Sequence, residues 1–429
     1  MTEKVKATNL KNKQNIKLNK DKEAVFERTC NLIDKLALEH SLDIGEYEEL
    51  VSATDISNDI AEKKPEKFVL SSDSSGTSNN TCSEKKKVLE DKNENFKKLA
   101  TYAAELADKK RREIFSTDVY IRGLIEIGNV CKNDCFYCGI RKSNKACERY
   151  ILDDERILAC CEEGYGLGFR TFVLQGGEGS MAVERICETV RKIKSAYKDC
   201  AVTLSLGEYS KEDYKSMFDA GADRYLLRHE TADKEHYEKL HPKEMSFENR
   251  MRCLKDLKDL GFQTGCGFMV GSPFQTAKTL AKDLKFLEEF QPHMCGIGPF
   301  IPQHDTPFGN YKAGTADMTI YLLSLIRLIK PDILLPATTA LGTIEEGGRE
   351  RGMKAGANVV MPNLSPVEER KKYALYDNKL SSGKESAQNL EDLKQSVRAA
   401  GYEIVESRGD APMSRDTLGI KINEKLCSD

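Results

Sequence analysis

Residues 128–144 read GNVCKNDCFYCGIRKSN, and the spacing of three thiols within them governs the reading of the whole chain. Cys131, Cys135 and Cys138 form C-x3-C-x2-C. Thiolates are the protein ligands of iron–sulfur clusters, and a four-iron cluster ordinarily takes four of them. A compact run of three therefore leaves one iron open to a ligand that is not protein. Competing explanations are weaker. A structural zinc site wants a fourth Cys or His with its own short spacing, and Cys147, nine residues beyond Cys138, stands in a polar stretch without one. Cysteine is also a common core residue, but Lys132, Asn133 and Asp134 make this stretch a polar loop.

Outward from the loop, short apolar strands alternate with amphipathic helices from Val119 onward, the pattern of parallel strands joined by helical crossovers. Eight strands are expected, beginning near Tyr120 (YIRGLIEI), Thr171 (TFVLQ), Ala201 (AVTLSL), Arg224 (RYLLR), Gln263 (QTGCGFMV), Met294 (MCGIG), Ile333 (ILLPA) and Asn358 (NVVMP). Helices are expected near 153–168, 182–197, 210–220, 246–260, 276–290, 316–329 and 347–355. Eight repeats favour a complete (β/α)8 barrel of α/β class over an open sheet, and such barrels build their sites from loops after the strands' C-terminal ends. The cysteine loop follows the first strand and falls on that face.

The flanks divide the chain. Residues 1–92 are expected to hold a polar tail to 22, helical periodicity from Glu23 to about Asp55 with a second short helix at Leu42–Leu50, and a Ser-, Asn- and Lys-rich linker over 56–92. Within the linker Cys82 is isolated, more an incidental thiol than a ligand. A lead-in helix from Glu94 to Ile114 opens the barrel domain, 93–376, and is expected to cap its bottom or side. Residues 377–429 are expected to hold a helix and a short terminal segment within 383–405, then a tail.

Composition narrows the function. A net charge of −3 over 429 residues, with acids and bases interspersed, gives no electrostatic case for nucleic acid or an anionic membrane. The 14 cysteines lack a disulfide framework's spacing. Nothing at the N-terminus reads as a secretory signal, and no apolar run is long enough to span a bilayer. The expectation is a cytoplasmic protein with a small-molecule partner.

Other strand ends carry groups suited to a charged ligand. Gln175, Gly176, Gly177 and Glu178 follow the second expected strand, Ser205 to Glu208 the third, and Arg228, His229 and Glu230 the fourth. Glycines admit close backbone approach, carboxylates take ammonium or hydroxyl groups, and arginine offers a carboxylate a forked pair of hydrogen bonds. A ring of rim salt bridges is the plain alternative, and His229 reads as a packed rim residue. The cysteine spacing, with Phe136 and Tyr137 in its last gap, resembles the cluster loop of the radical S-adenosylmethionine (SAM) superfamily, and the position of Gly176-Gly177-Glu178 matches its SAM-contacting GGE motif.

A narrower resemblance rests on NVCKNDCFYCGIRKSN, TLSLGE, AGADRYLLRHET, SFENR, GIGPFIPQHDTPF and LPATTALGTIEEGGRE, which fall at five of the eight expected strands and one helix start between about residues 94 and 376. These motifs closely resemble the HydE family, radical SAM maturases that help build the active-site iron unit of FeFe-hydrogenase. The resemblance implies one 4Fe-4S cluster on Cys131, Cys135 and Cys138, and SAM cleaved reductively to a 5'-deoxyadenosyl radical. It also implies a small iron-containing precursor as substrate, partner hydrogenase maturases, and an electron donor such as ferredoxin or flavodoxin. Carried over by motif, Tyr137, Gly176, Gly177, Glu178, Ser205, Arg228, Glu230 and Arg250 would bind SAM. Arg122, Thr338 and Thr339 would line the lower cavity, with Met269, Ile301 and Met361 confining the radical. Some HydE relatives carry a second cluster on three C-terminal cysteines; YALYDNKLSSGKESAQNLEDLKQSV has none, and Cys427 stands alone.

Three rival readings stay open. Biotin synthase shares the cysteine loop but needs cysteines deep in the barrel, and Cys266 is out of register by one residue. Methylornithine synthase is a nearer relative. A cluster carrier without turnover has no need of a SAM pocket.

Overall fold

The computed structural model describes residues 23–53, 79–380 and 386–412. Its strands are β1 (Asp118–Ile121), β2 (Gly123–Gly128), β3 (Thr171–Gly176), β4 (Ala201–Ser205), β5 (Arg224–Leu226), β6 (Gln263–Cys266), β7 (Met269–Val270), β8 (Met294–Cys295), β9 (Gly298–Pro299), β10 (Val359–Val360) and β11 (Glu403–Val405). Strands β2, β3, β4, β5, β6 and β8 pair in that order, all parallel. Helices Asp154–Gly166, Val183–Ala196, Lys211–Asp219, Phe247–Asp259 and Ala277–Phe290 link successive members. Each lies within two residues of the position its periodicity gave. Their starts are fixed locally: Asp153, Ser210, Ser246 and Thr276 accept the third N–H of the helix that follows.

The parallel register continues beyond β8 through single bridges, Met294 to Leu334, Pro336 to Val359, and Asn363 back to Leu124 of β2. ILLPA is thus no regular strand. The Leu335 N–H is taken by Asn358 Oδ1 at 2.9 Å, and Pro336 has no N–H to donate. Other expected strands divide. YIRGLIEI splits at Arg122 into β1 and β2, and β1 joins β10 and β11 instead of the main sheet. QTGCGFMV and MCGIG break where Gly267 meets Gly296; a Cβ on Gly267 would lie 2.1 Å from the Gly296 carbonyl oxygen. The short terminal segment expected near residue 405 is β11.

At the N-terminus, helices cover 23–39 and Ile44–Ser52, close to expectation. The lead-in helix begins at Asn79, well before Glu94, and ends at Phe115. Residues 79–92 of the expected linker are therefore helical, because the Glu, Lys and Leu they contain are good helix formers; residues 54–78, the expected polar tail and Cys427 lie outside the described residues. The long helix packs on Ala316–Ile329, with Phe96 edge-on to Tyr321 at 5.7 Å, so it covers the side of the sheet system.

The opposite end from the cysteine loop is closed by the chain's last described residues. Thr171 Oγ1 and Arg224 Nη2 each donate to the Arg408 carbonyl at 2.7 Å, and Gln263 Nε2 donates to Asp410 Oδ1 at 2.9 Å. Among the described residues no helix is long and apolar enough to cross a membrane.

Candidate functional site

The cysteine loop has almost no regular structure, so its backbone groups are satisfied by side chains. Arg149 donates to the carbonyls of Asn129, Ile140, Arg141 and Asn144 at 2.6–3.1 Å. Asp134 accepts from the Ser143 backbone and hydroxyl at 2.9 and 2.7 Å and pairs with Arg141 at 2.6 Å. The Asn129 amide accepts from Tyr150 N and donates to the Glu148 and Lys372 carbonyls. Gly139 is required where the chain returns after the sheet, since a Cβ there would lie 2.0 Å from the Ala374 carbonyl oxygen.

The three thiols are half-buried and free. Burial pushes all three above the ordinary thiol range, Cys138 to about 12, and the neighbouring thiols add to this for Cys135 and Cys138. Three thiolates this close need a compensating positive charge, which iron supplies. Among the described residues no three His, Cys, Asp or Glu side chains converge on a single-ion position.

Beneath the loop lies a cavity of about 360 Å³. Its upper wall holds Cys131, Cys135, Cys138 and Tyr137 with Gly176, Gly177 and Glu178; Ser205, Arg228, Glu230 and Arg250 continue it around the rim. Its lower wall includes Met269, Ile301, Thr338, Thr339 and Met361. Of the residues the resemblance assigned to SAM or to the lower cavity, Arg122 alone does not line it. That side chain is buried, with Nη1 on Met294 Sδ at 2.9 Å and Nε and Nη2 without hydrogen bonds. Burial, then Arg224, holds its acidity well above that of an ordinary guanidinium. Cys266 also stays out of the cavity wall, paired in register with Cys295.

Two glycines make the GGE turn possible. A Cβ on Gly177 would lie 2.2 Å from the Val130 carbonyl oxygen, so the turn fits under the cysteine loop only without a side chain. Glu178 is buried and pairs with Lys132 at 2.9 Å. Arg250, also buried, bonds Glu208 and donates from Nη1 to the Arg228 carbonyl at 2.6 Å. Arg228 and Glu230 approach to 3.3 Å but are misaligned, so Arg228 Nε and Nη2 and Glu230 Oε2 have no hydrogen-bond partner; Thr338 Oγ1 has none either. Buried polar atoms left open in a cavity wall fit a ligand with carboxylate, ammonium and hydroxyl groups. SAM has all three. His229 is buried, accepting Gly267 N–H at 3.2 Å, as a packed rim residue.

Sequence reasoning missed a further ion pair of the cavity wall. Glu126 of β2, fully buried, bonds Lys379, which enters from the chain after the sheet beside Tyr373 and Tyr376. The signal was a lone acid in the apolar run YIRGLIEI. Met245, whose Sδ stands 3.6 Å from Cys135 Sγ, carried none.

The Radical SAM superfamily profile matches residues 125–287. The FeFe-hydrogenase maturase subunit HydE of Thermotoga maritima is 47% identical over 277 residues, 64% of this chain and 79% of that protein. A 3-methylornithine synthase of Methanosarcina acetivorans is 29% identical over 278 residues, 64% of this chain and 78% of that protein. The crystal structure of methylornithine synthase (PylB) shares the fold, with TM-score 0.67 and 22% identity, covering 87% of this chain and 97% of that one.

Proposed function

From the premise that this chain belongs to the radical SAM superfamily, and within it to the HydE family of FeFe-hydrogenase maturases, we propose that it cleaves SAM reductively and turns the radical on a small iron-containing precursor of the hydrogenase active site. The observation that carries the reading is that the three cluster cysteines, the GGE turn and the rim charges line one cavity. In this reading the eight segments form a complete (β/α)8 barrel, supported by the single bridges that lead from Met294 through Leu334, Pro336, Val359 and Asn363 to Leu124. The protein carries one 4Fe-4S cluster, and works in the reducing cytoplasm with partner maturases; the described cysteines are all free thiols.

When bound, the cluster supplies an electron to the sulfonium of SAM and an iron that chelates its amino acid part. The protein's own residues bind, orient and enclose. Glu178 takes the methionyl ammonium; Arg228, with two open N–H donors, takes a carboxylate; Glu230 and Ser205 take hydroxyls. Arg250 positions Arg228 through its carbonyl and holds Glu208. The apolar lower wall of Met269, Ile301 and Met361 offers a carbon radical no solvent, and Thr338 and Thr339 hold the substrate beneath it.

A hydrogenase maturation system lacking HydE tests the assignment. Supplying this chain should restore hydrogen evolution, and supplying the variant with Cys131, Cys135 and Cys138 changed to Ala should not. No recovery with soluble, cluster-loaded chain contradicts it. Methylornithine synthase is the second reading; the higher identity to HydE over a similar span disfavours it.

A further inference from the structure

Beyond β5 the chain carries its rim charges on a strained turn. Leu226 pairs with Gly265, and Glu230 bridges to Phe268. Three residues, 227–229, thus stand opposite two, 266 and 267, which makes a bulge on the β5 side. The bulge ends at Glu230, whose φ of +65° lies in the left-handed region, where a residue with a side chain stays only when its surroundings hold it. Arg228 and Glu230 line the cavity, while His229 between them is fully buried in the wall behind. Gly267 is gripped twice: its N–H donates to His229 Nδ1 at 3.2 Å, and its carbonyl accepts the Glu230 N–H at 3.0 Å. His229 is itself fixed, its ring packed on Phe286 at 4.7 Å and Phe268 at 5.8 Å between centroids. Burial holds its acidity constant down to about 3, so the ring is neutral. With Nδ1 accepting, the proton sits on Nε2, which faces Asp283 Oδ1 at 3.5 Å without closing a hydrogen bond. That oxygen accepts the Ala232 N–H at 2.5 Å, and Lys282 pairs with Asp233 at 2.5 Å. One helix, Ala277–Phe290, therefore anchors the turn from its far side.

We propose that His229 is a positioning residue for SAM: acting through Gly267, it holds Glu230 in the left-handed turn and so aims the Glu230 carboxylate at a hydroxyl of the ligand. This rests on the SAM reading above and names a residue that never touches SAM. Any ring of this size would fill the space. What a hydrocarbon ring cannot supply is the Nδ1 lone pair, and without it the Gly267 N–H becomes a buried donor with no partner. The turn then relieves two costs at once, freeing Gly267 and letting Glu230 return to negative φ. That return swings the carboxylate off its line, and a hydrogen bond to a hydroxyl tolerates little change in distance or angle.

The test compares the cluster-loaded parent with His229→Phe, His229→Asn, Glu230→Ala and His229→Phe/Glu230→Ala. Asn keeps an acceptor close to the place of Nδ1. SAM titration should show Kd weakened about tenfold by His229→Phe and at most about threefold by His229→Asn. On top of Glu230→Ala, His229→Phe should add less than about twofold, because an effect passed through Glu230 vanishes with its side chain. Amide hydrogen exchange without SAM, read on peptides covering 227–233 and 265–268, should run about tenfold faster in His229→Phe and at the parent rate in His229→Asn. If His229→Phe does not fold, His229→Leu takes its place in every comparison. SAM affinity within twofold of the parent in the Phe variant overturns the proposal. So does a full tenfold loss added to Glu230→Ala, an equal loss with Phe and Asn, or unchanged exchange in the Phe variant. A parent that binds no SAM, with the exchange pattern intact, counts against the SAM reading alone.

Discussion

Gly207 supports Glu178 from below: at φ +92°, a Cβ built on it would lie 2.2 Å from Glu178 Oε2. The acid of the GGE turn is aimed by the absence of a side chain on the next strand's loop. Gly207→Ala should force Glu178 aside and add strain of about 1–3 kcal/mol from a non-glycine residue in the left-handed region. SAM affinity, measured by titration, should fall about tenfold or more with iron content unchanged; affinity within twofold of the parent contradicts this.

Glu178→Ala and Arg250→Ala should each weaken SAM binding without removing iron, because neither is a metal ligand. Truncating one partner of a desolvated charge pair costs about 2–5 kcal/mol, which corresponds to a loss of roughly thirtyfold or more. Unchanged SAM affinity in either variant removes that residue from the site.

Among the described residues the buried Glu126 carboxylate is held by Lys379 and by Asn363 Nδ2 at 3.0 Å. Lys379→Met leaves that charge uncompensated and should destabilise the fold by about 3–5 kcal/mol. Adding Glu126→Gln should recover most of the loss. Equal thermal midpoints for parent and Lys379→Met would show the pair to be energetically idle.

Asp283 is fully buried and its Oδ2 has no hydrogen bond. Burial raises its carboxyl to about 8, above the ordinary value near 4. The native state thus keeps a proton that the unfolded chain releases, so this group's contribution to stability falls as pH rises from about 4 to 8. The thermal midpoint of the parent should drop relative to Asp283→Asn across that window. A constant difference between the two proteins at pH 5 and pH 8 contradicts the assignment.

Iron should be found at about four atoms per chain, and the Cys131, Cys135 and Cys138 triple Ala variant should hold none. A stoichiometric cluster in that variant would reveal a second site.

The crossover helices were legible because amphipathic period and capping residues are local properties, and Asp153, Ser210 and Thr276 mark their starts in the sequence itself. The broken strands were not. Arg122, the contact of Gly267 with Gly296, and the capture of the Leu335 N–H by Asn358 are long-range events that periodicity does not carry. The upper wall of the site followed from motif spacing, since strand ends of a parallel sheet meet on one face. Lys379 lies in a stretch read only for its lack of cysteine, and its partner Glu126 is separated from it by most of the chain. The floor formed by Arg408 and Asp410 was likewise invisible, because it depends on where the chain returns after β11.

That the cysteine loop and the cavity beneath it form one SAM-cleaving site can be read from the products of SAM. Anaerobically reconstituted protein is reduced, incubated with SAM and analysed for 5'-deoxyadenosine and methionine by chromatography. Both products are expected in equal amounts, and neither with the triple Cys variant. A protein whose cluster is loaded and reduced, yet which yields no 5'-deoxyadenosine above the variant's background, would contradict it.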